Sequence, residues 1–171
     1  VMDVHLMGSV NCTKAVWDLM REQKYGRIVM TPSGSGLYGN FGQSNYGAAK
    51  MAVIGLMNTL KLEGQKSDIR INAIAPTAAT RMTYELFPEA MHPMLEPRFV
   101  TPGVLYLCSD QAPQGEILTA GAGCFARARI METRGVFLGD AGTPEQVAEH
   151  WDGAISDPGG AKAYRAGGEQ P

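Results

Sequence analysis

The chain has 171 residues, 44% of them hydrophobic, enough for one ordinary core and little more. Fifteen basic residues against seventeen acidic leave a net charge of −2 without any basic block, which argues against nucleic acid as a partner. No apolar run approaches the roughly 20 residues of a membrane helix and no secretory signal profile opens the chain, so no membrane partner is expected and a cytoplasmic location follows.

Val1 is not an initiator methionine and opens directly onto an apolar-periodic segment with no cap before it, so the chain looks cut; processing, a cloned fragment or further residues ahead of it would each explain this. Val4, Met7, Val10, Val16 and Met20 recur at three-to-four spacing, the pattern of an amphipathic helix over 1–22 that Tyr25-Gly26 ends. Arg27 to Thr31 is a short β-rich run between Gly26 and Pro32 and reads as a buried parallel strand. A Gly/Ser loop over 33–43 follows. Tyr46, Ala49, Val53, Met57 and Leu60 share one face of a second helix over 44–64, and Ile69 to Ala75 forms a second strand closed by Pro76.

Strand, loop, helix, strand is the unit of an α/β fold with a right-handed parallel sheet. Residues 82–97 are proline-dotted and rich in methionine, whose flexible thioether suits a surface that adapts to an apolar ligand, so this stretch is a candidate substrate lid. Thr101-Pro102 reads as a cap before proline at the first helical position, and 115–120 as the last strand. Thr143-Pro144-Glu145-Gln146 is a capping box that predicts helix over 147–155. From Asp157 onward Gly and Pro dominate, so the expected organisation is one domain over 1–156 and a loose tail over 157–171.

Cys12, Cys108 and Cys124 are odd in number and far apart, and are read as small buried hydrophobes. His5, His92 and His150 are equally scattered, so neither a metal site nor a Ser-His-Asp triad has material.

Tyr46 and Lys50 lie four apart on a predicted helix, and so emerge on one face a turn from each other. A phenol ordinarily titrates near ~10, and a neighbouring ammonium favours its phenolate, so the pair suits proton exchange. The same two residues also fit a core aromatic and a solvated charge. Ser33 follows the end of the first strand, and ligands of open α/β sheets bind at the carboxyl ends of their strands. There its hydroxyl either holds a substrate oxygen beside the phenol or bonds its own backbone in the turn.

Ser33, then Tyr46 thirteen residues on, then Lys50, then Asn72-Ala73-Ile74-Ala75-Pro76 after a strand, together resemble the short-chain dehydrogenase/reductase family. The stretch Tyr38-Gly39-Asn40-Phe41-Gly42-Gln43-Ser44-Asn45-Tyr46-Gly47-Ala48-Ala49-Lys50, with Pro76 through Arg81-Met82-Thr83, is similar to the family's (3R)-hydroxyacyl-CoA dehydrogenases. The likeness runs from His5 to about Phe125.

It implies the C-terminal part of a Rossmann-like, doubly wound parallel sheet whose glycine-rich dinucleotide turn precedes Val1. It further implies an NAD- or NADP-dependent oxidoreductase, NAD being favoured, that interconverts a secondary alcohol and a ketone, with an acyl-CoA thioester as substrate and a homodimer or homotetramer as its assembly. By the same resemblance Tyr46 is the catalytic acid/base and Lys50 its tuner and a ligand of the nicotinamide ribose. Ser33 anchors the substrate oxygen, Pro76, Thr77 and Thr80 belong to the loop under the nicotinamide, and the Thr80 hydroxyl is placed to bond the carboxamide.

One departure is His5, which stands where many members carry an asparagine feeding a proton relay through the lysine; the relay is either altered or lost. Gly34-Ser35-Gly36-Leu37-Tyr38-Gly39 matches the dinucleotide fingerprint as a string, but Asn40, Phe41 and Gly42 prolong the loop and the next strand ends without an acidic residue. Two other readings are a catalytically silent fragment retaining only the dimerisation helices, 1–22 and 44–64, and a serine hydrolase built on Ser33 or Ser35, for which no Gly-x-Ser-x-Gly elbow or suitably placed histidine exists.

Overall fold

A computed structural model describes residues 1–169. The chain divides into two compact units, Val1–Ala128 and Arg129–Pro171.

In the first unit a π-helical turn at Asp3–Met7 runs into helix α1, Gly8–Glu22. Strand β1 (Gly26–Met30), the five-residue helix α2 (Gly34–Tyr38) and the long helix α3 (Ser44–Gly64) follow. Strand β2 (Ile69–Thr77), three single 3-10 segments, helix α4 (Thr101–Leu107) and strands β3 (Ile117–Gly121) and β4 (Cys124–Ala128) complete it. The sheet order is β1-β2-β3-β4, with the first three strands parallel and β4 antiparallel.

Side chains of β2 alternate between the two faces of the sheet, and each face has its own core. Ile69, Ile71 and Ala73 face α3, where Val53, Ile54 and Met57 are fully buried against them, and Leu6, Trp17 and Met20 of the first helical segment pack on the same cluster. Ile74 turns the other way, onto Val100, Leu107 and Val104 around α4. Helices on both faces of a mainly parallel sheet make the α/β, doubly wound architecture expected from the sequence. The register is what shapes the carboxyl edge: Met30, the end of β1, pairs with Ala73, so β2 continues four residues further, to Thr77, paired there with β3 alone.

Four details differ from expectation. The Gly/Ser loop contains α2, because the Ser33 hydroxyl accepts the Ser35 N–H and caps its first turn. β4 adds an antiparallel edge strand after β3 through a two-residue turn at Ala122 and Gly123, both at positive φ, the geometry of a type I′ hairpin. Thr101 is not a cap, since Val100 before it is already helical in backbone and ends the preceding 3-10 turn at Pro97–Phe99. Cys12, Cys108 and Cys124 are all exposed free thiols, the first on the outer face of α1 and the last on the edge strand.

In the second unit the capping box is formed as written: Thr143 accepts the Gln146 N–H and the Gln146 carboxamide accepts the Thr143 N–H, opening helix α5 at Pro144–His150. A π-helical turn at Trp151–Ile155 follows it and is broken at Gly153, whose φ of −104° and ψ of −109° are not helical. Glu132 and Lys162 exchange both backbone hydrogen bonds, and the Thr133 hydroxyl donates to the Ile155 carbonyl at 2.6 Å. Among the described residues no helix is long and apolar enough to cross a membrane.

Candidate active site

The site begins with the helix that carries two of its side chains. Ala49, Val53, Ile54 and Met57 bury one face of α3 against the sheet, which fixes the rotation of the helix. Lys50, on the margin of that face, is 8% exposed. Its ammonium donates to the Thr31 carbonyl at 2.7 Å, one residue beyond the end of β1. A buried cation is tolerated only when its hydrogen bonds are made, and this carbonyl supplies the first of three. Burial pushes the lysine pKa below its ordinary value.

Tyr46 lies one turn earlier and is partly exposed, with the Lys50 ammonium 5.7 Å from its ring centroid. The ring is held from the opposite element by His5, which meets it edge to face at 5.1 Å and an interplanar angle of 88°. Burial first, and then the positive charge of Lys50, hold the His5 imidazole below its ordinary pKa of 6.5.

Ser33 follows Pro32 at the end of the same β1 segment whose Thr31 carbonyl holds the lysine. Its hydroxyl oxygen accepts the Ser35 N–H at 3.2 Å, which leaves the hydroxyl proton and a second lone pair uncommitted. The helix that it caps is pressed onto α3: a Cβ on Gly36 would stand 2.9 Å from the Lys50 Cβ, and one on Gly47 would stand 3.1 Å from the Ser35 carbonyl. The helix that Ser33 caps and the helix that carries Tyr46 and Lys50 are therefore closely packed across Gly36 and Gly47. The loop readings of Ser33 as a cap and as a site hydroxyl are compatible.

Past the end of β1, Pro76 and Thr77 overhang as exposed residues of β2. A Cβ on Gly121 of β3 would come within 2.9 Å of the Thr77 carbonyl and Cβ, so this edge is also closely packed. Thr80 sits in a hydroxyl knot. The Thr83 hydroxyl accepts the Thr80 N–H at 2.8 Å and donates to the Ala78 carbonyl at 2.7 Å, and the Thr80 hydroxyl lies 3.1 Å from it. With the Thr83 proton spent on Ala78, the Thr80 hydroxyl is the donor of that pair; it also accepts the Met82 N–H at 3.3 Å and keeps one lone pair. Pro76, Ala78, Pro97, Val100 and Val104 line an open apolar pocket at this end of β2.

The methionine-rich stretch over 82–97 is built of 3-10 turns at Tyr84–Leu86 and Glu89–Met94. His92 pins the two together, stacked on Tyr84 at 4.7 Å with its Nε2 within 3.2 Å of the Tyr84 carbonyl and 3.0 Å of that of Phe87. His150 bonds the Gln146 carbonyl. No histidine among the described residues is hydrogen-bonded to Ser33 or Ser35, so the hydrolase reading has no base.

Sequence reasoning singles out Ser33, Tyr46 and Lys50 but not three contacts that the structure sets around them. The Thr31 carbonyl is a backbone group, which residue type does not reveal. Gly36 belonged to the rejected fingerprint string, and its role is contact with Lys50, legible only in three dimensions. His5 was noted as a replacement, with no indication that it touches Tyr46.

Residues 1–90 match the family model described as short chain dehydrogenase. Over 153 residues the chain is 46% identical to peroxisomal multifunctional enzyme type 2 of Mus musculus, covering 87% of this chain and 21% of that protein. It is 43% identical over 161 residues to peroxisomal hydratase-dehydrogenase-epimerase of Neurospora crassa, covering 91% and 18% respectively. Among solved structures, full-length peroxisomal multifunctional enzyme type 2 of Drosophila melanogaster superposes with a TM-score of 0.86 at 38% identity, over 97% of this chain and 31% of that one. The chain thus spans between about a fifth and a third of the length of these relatives.

Proposed function

The chain belongs to the short-chain dehydrogenase family, and from that membership we propose that it carries the catalytic corner of an oxidoreductase that interconverts a secondary alcohol and a ketone. The carrying observation is the Lys50 ammonium, buried against the Thr31 carbonyl and 5.7 Å from the Tyr46 ring.

In this reading the Tyr46 hydroxyl exchanges a proton with the substrate oxygen. Lys50 supplies the fixed positive charge that favours a negative oxygen on Tyr46, in a setting where burial makes that charge effective. The uncommitted proton of the Ser33 hydroxyl donates to the same substrate oxygen and orients it. When bound, the nicotinamide cofactor supplies the hydride that goes to or comes from the substrate carbon.

The residues present fit that cofactor. Lys50 has two donors left after Thr31 for ribose hydroxyls, with Tyr46 beside them. Pro76 and Thr77 form an exposed ledge, and the remaining lone pair of Thr80 suits a carboxamide N–H. We favour NAD over NADP.

We further propose 3-hydroxyacyl-CoA and 3-ketoacyl-CoA thioesters as the substrates, because relatives bear the names of peroxisomal multifunctional and hydratase-dehydrogenase-epimerase enzymes. The apolar pocket beside Pro76 and Ala78 offers a surface for an acyl chain. The proposed assembly is a homodimer or homotetramer. Val4, Met7 and Leu19 of the first helical segment and Met51 and Leu62 of α3 are exposed apolar side chains on two helices, the material of an isologous helical interface. The reading of a silent fragment that keeps only these helices rests on the same residues and leaves the Lys50 geometry without a use. We keep the cytosol as the proposed compartment; a tagged protein coinciding with a peroxisomal marker would replace it.

The test is oxidation of (3R)-hydroxyacyl-CoA thioesters by the full-length protein with NAD and with NADP, followed by absorbance of the reduced nicotinamide. Turnover with NAD at higher kcat/KM than with NADP supports the reading. No turnover of any secondary alcohol with either dinucleotide overturns it.

A further inference from the structure

The contact between His5 and Tyr46 is unused by the mechanism above. The two residues come from different elements: Tyr46 from the first turns of α3, His5 from the π-helical turn that precedes α1. A π turn is rare, and such turns are frequently found at functional sites. Here the widened turn is formed by the Gly8 N–H reaching the Asp3 carbonyl, and the Ser9 hydroxyl donates to the His5 carbonyl at 2.9 Å. The backbone that presents the imidazole is therefore held from both sides.

The imidazole itself is committed to Tyr46. Its ring stands at 88° to the phenol ring with centroids 5.1 Å apart, within the range in which edge-to-face aromatic pairs attract. The Lys50 ammonium points instead to the Thr31 carbonyl. Tyr46 has no other aromatic neighbour among the described residues. A phenol that lies partly exposed on a helix has a choice of rotamers, and an edge-to-face partner favours the one in which the two rings meet.

We propose that His5 is a positioning residue for Tyr46: its ring, seated edge to face against the phenol from the π-helical turn, selects the tyrosine rotamer in which the hydroxyl meets the substrate oxygen. This rests on the assignment of Tyr46 as proton carrier. The role is a ring contact and needs no proton relay through His5. A ring that carried a second positive charge next to Lys50 would oppose the lysine, and the burial that disfavours imidazolium at this position fits the neutral form.

The test compares His5→Ala, His5→Phe and His5→Asn in the full-length protein, with Tyr46→Phe alongside, measuring kcat, the KM for the dinucleotide and thermal unfolding. Alanine and asparagine remove the ring and are expected to lower kcat about tenfold, the rate equivalent of one aromatic pair, with KM changed less than about twofold. Phenylalanine restores the ring face without a titratable nitrogen and is expected to recover most of that loss. Where His5→Ala unfolds, the phenylalanine and asparagine variants decide. An asparagine variant as active as wild type beside a crippled phenylalanine variant would show a polar relay and overturn the proposal, as would a wild-type kcat in His5→Ala. Loss of turnover in Tyr46→Phe together with either of those results would sink the positioning role alone, whereas turnover retained in Tyr46→Phe would remove the assignment on which it rests.

Discussion

Gly36 of α2 lies directly on Lys50 of α3, so closely that a Cβ on the glycine would stand 2.9 Å from the lysine Cβ and 3.0 Å from its carbonyl carbon. Two helices approach this closely only where one of them has no side chain. The contact couples the serine-bearing turn to the lysine-bearing helix, and the geometry of the site depends on it.

Gly36→Ala should accordingly separate α2 from α3. The added methyl meets main-chain atoms that cannot swing aside, so a loss of stability of about 1–3 kcal/mol is expected, as for other overpacked contacts. Turnover should fall in the variant even where it remains folded, because Ser33 moves relative to Lys50. Urea unfolding together with kcat measurement checks both effects.

Lys50→Met should separate stability from activity. Burial lowers the lysine pKa, so the folded protein releases its proton more readily than the unfolded chain does. Below the folded pKa the burial cost is fully present. As pH rises from that value toward the ordinary 10.5, the unfolded chain binds more protons than the folded one and the cost is relieved. Removing the charge should thus leave the unfolding midpoint at neutral pH unchanged or raised, while turnover falls by at least about 10²-fold and dinucleotide binding weakens. A variant that is both unfolded and inactive would contradict this.

At the opposite end of the strands, the Arg27 guanidinium hydrogen-bonded to Asp68, with help from Arg70, holds the Asp68 carboxyl below its ordinary value of 3.8. A carboxyl with a depressed folded pKa contributes stability above the unfolded value and loses it as pH falls through the folded one. Asp68→Asn should therefore narrow the difference in stability between pH 6 and pH 3, and the change should be small because the carboxylate is about half exposed. Chemical unfolding at the two pH values measures it.

Ser33 carries two duties that substitution can separate. Ser33→Ala removes the cap of α2 and should cost about 1 kcal/mol, with turnover reduced as well. Ser33→Thr keeps an oxygen able to cap and to donate, and should recover the stability before it recovers the rate. Equal activity in wild type and alanine variant would limit Ser33 to the cap.

Much of this was legible in the sequence because the signals were strong and local. The period of the α3 residues placed Tyr46 and Lys50 on one side of a helix, and the apolar runs of β1 and β2 required burial on both faces. The capping box at Thr143 was realised atom for atom. β4 was missed because its first four residues are exposed and carry no alternating pattern; the only sign was Ala122-Gly123, a turn pair that demands positive φ. The helix inside the Gly/Ser loop was hidden for the opposite reason. Three glycines among Gly34 to Gly39 predict loop by propensity, and the tertiary contact of Gly36 with Lys50 outweighs it. The cysteines were misplaced because a residue type that is usually buried says little at any single position.

The central claim is that the Tyr46 hydroxyl carries the proton, and Tyr46→Phe in the full-length protein tests it most directly because it removes one oxygen and keeps the ring that His5 and Lys50 contact. The prediction is a kcat lower by a factor of about 10² to 10⁴, with dinucleotide binding by fluorescence titration retained and the unfolding midpoint unchanged. A variant that binds dinucleotide and turns over acyl-CoA substrate within a few-fold of wild type would contradict the account.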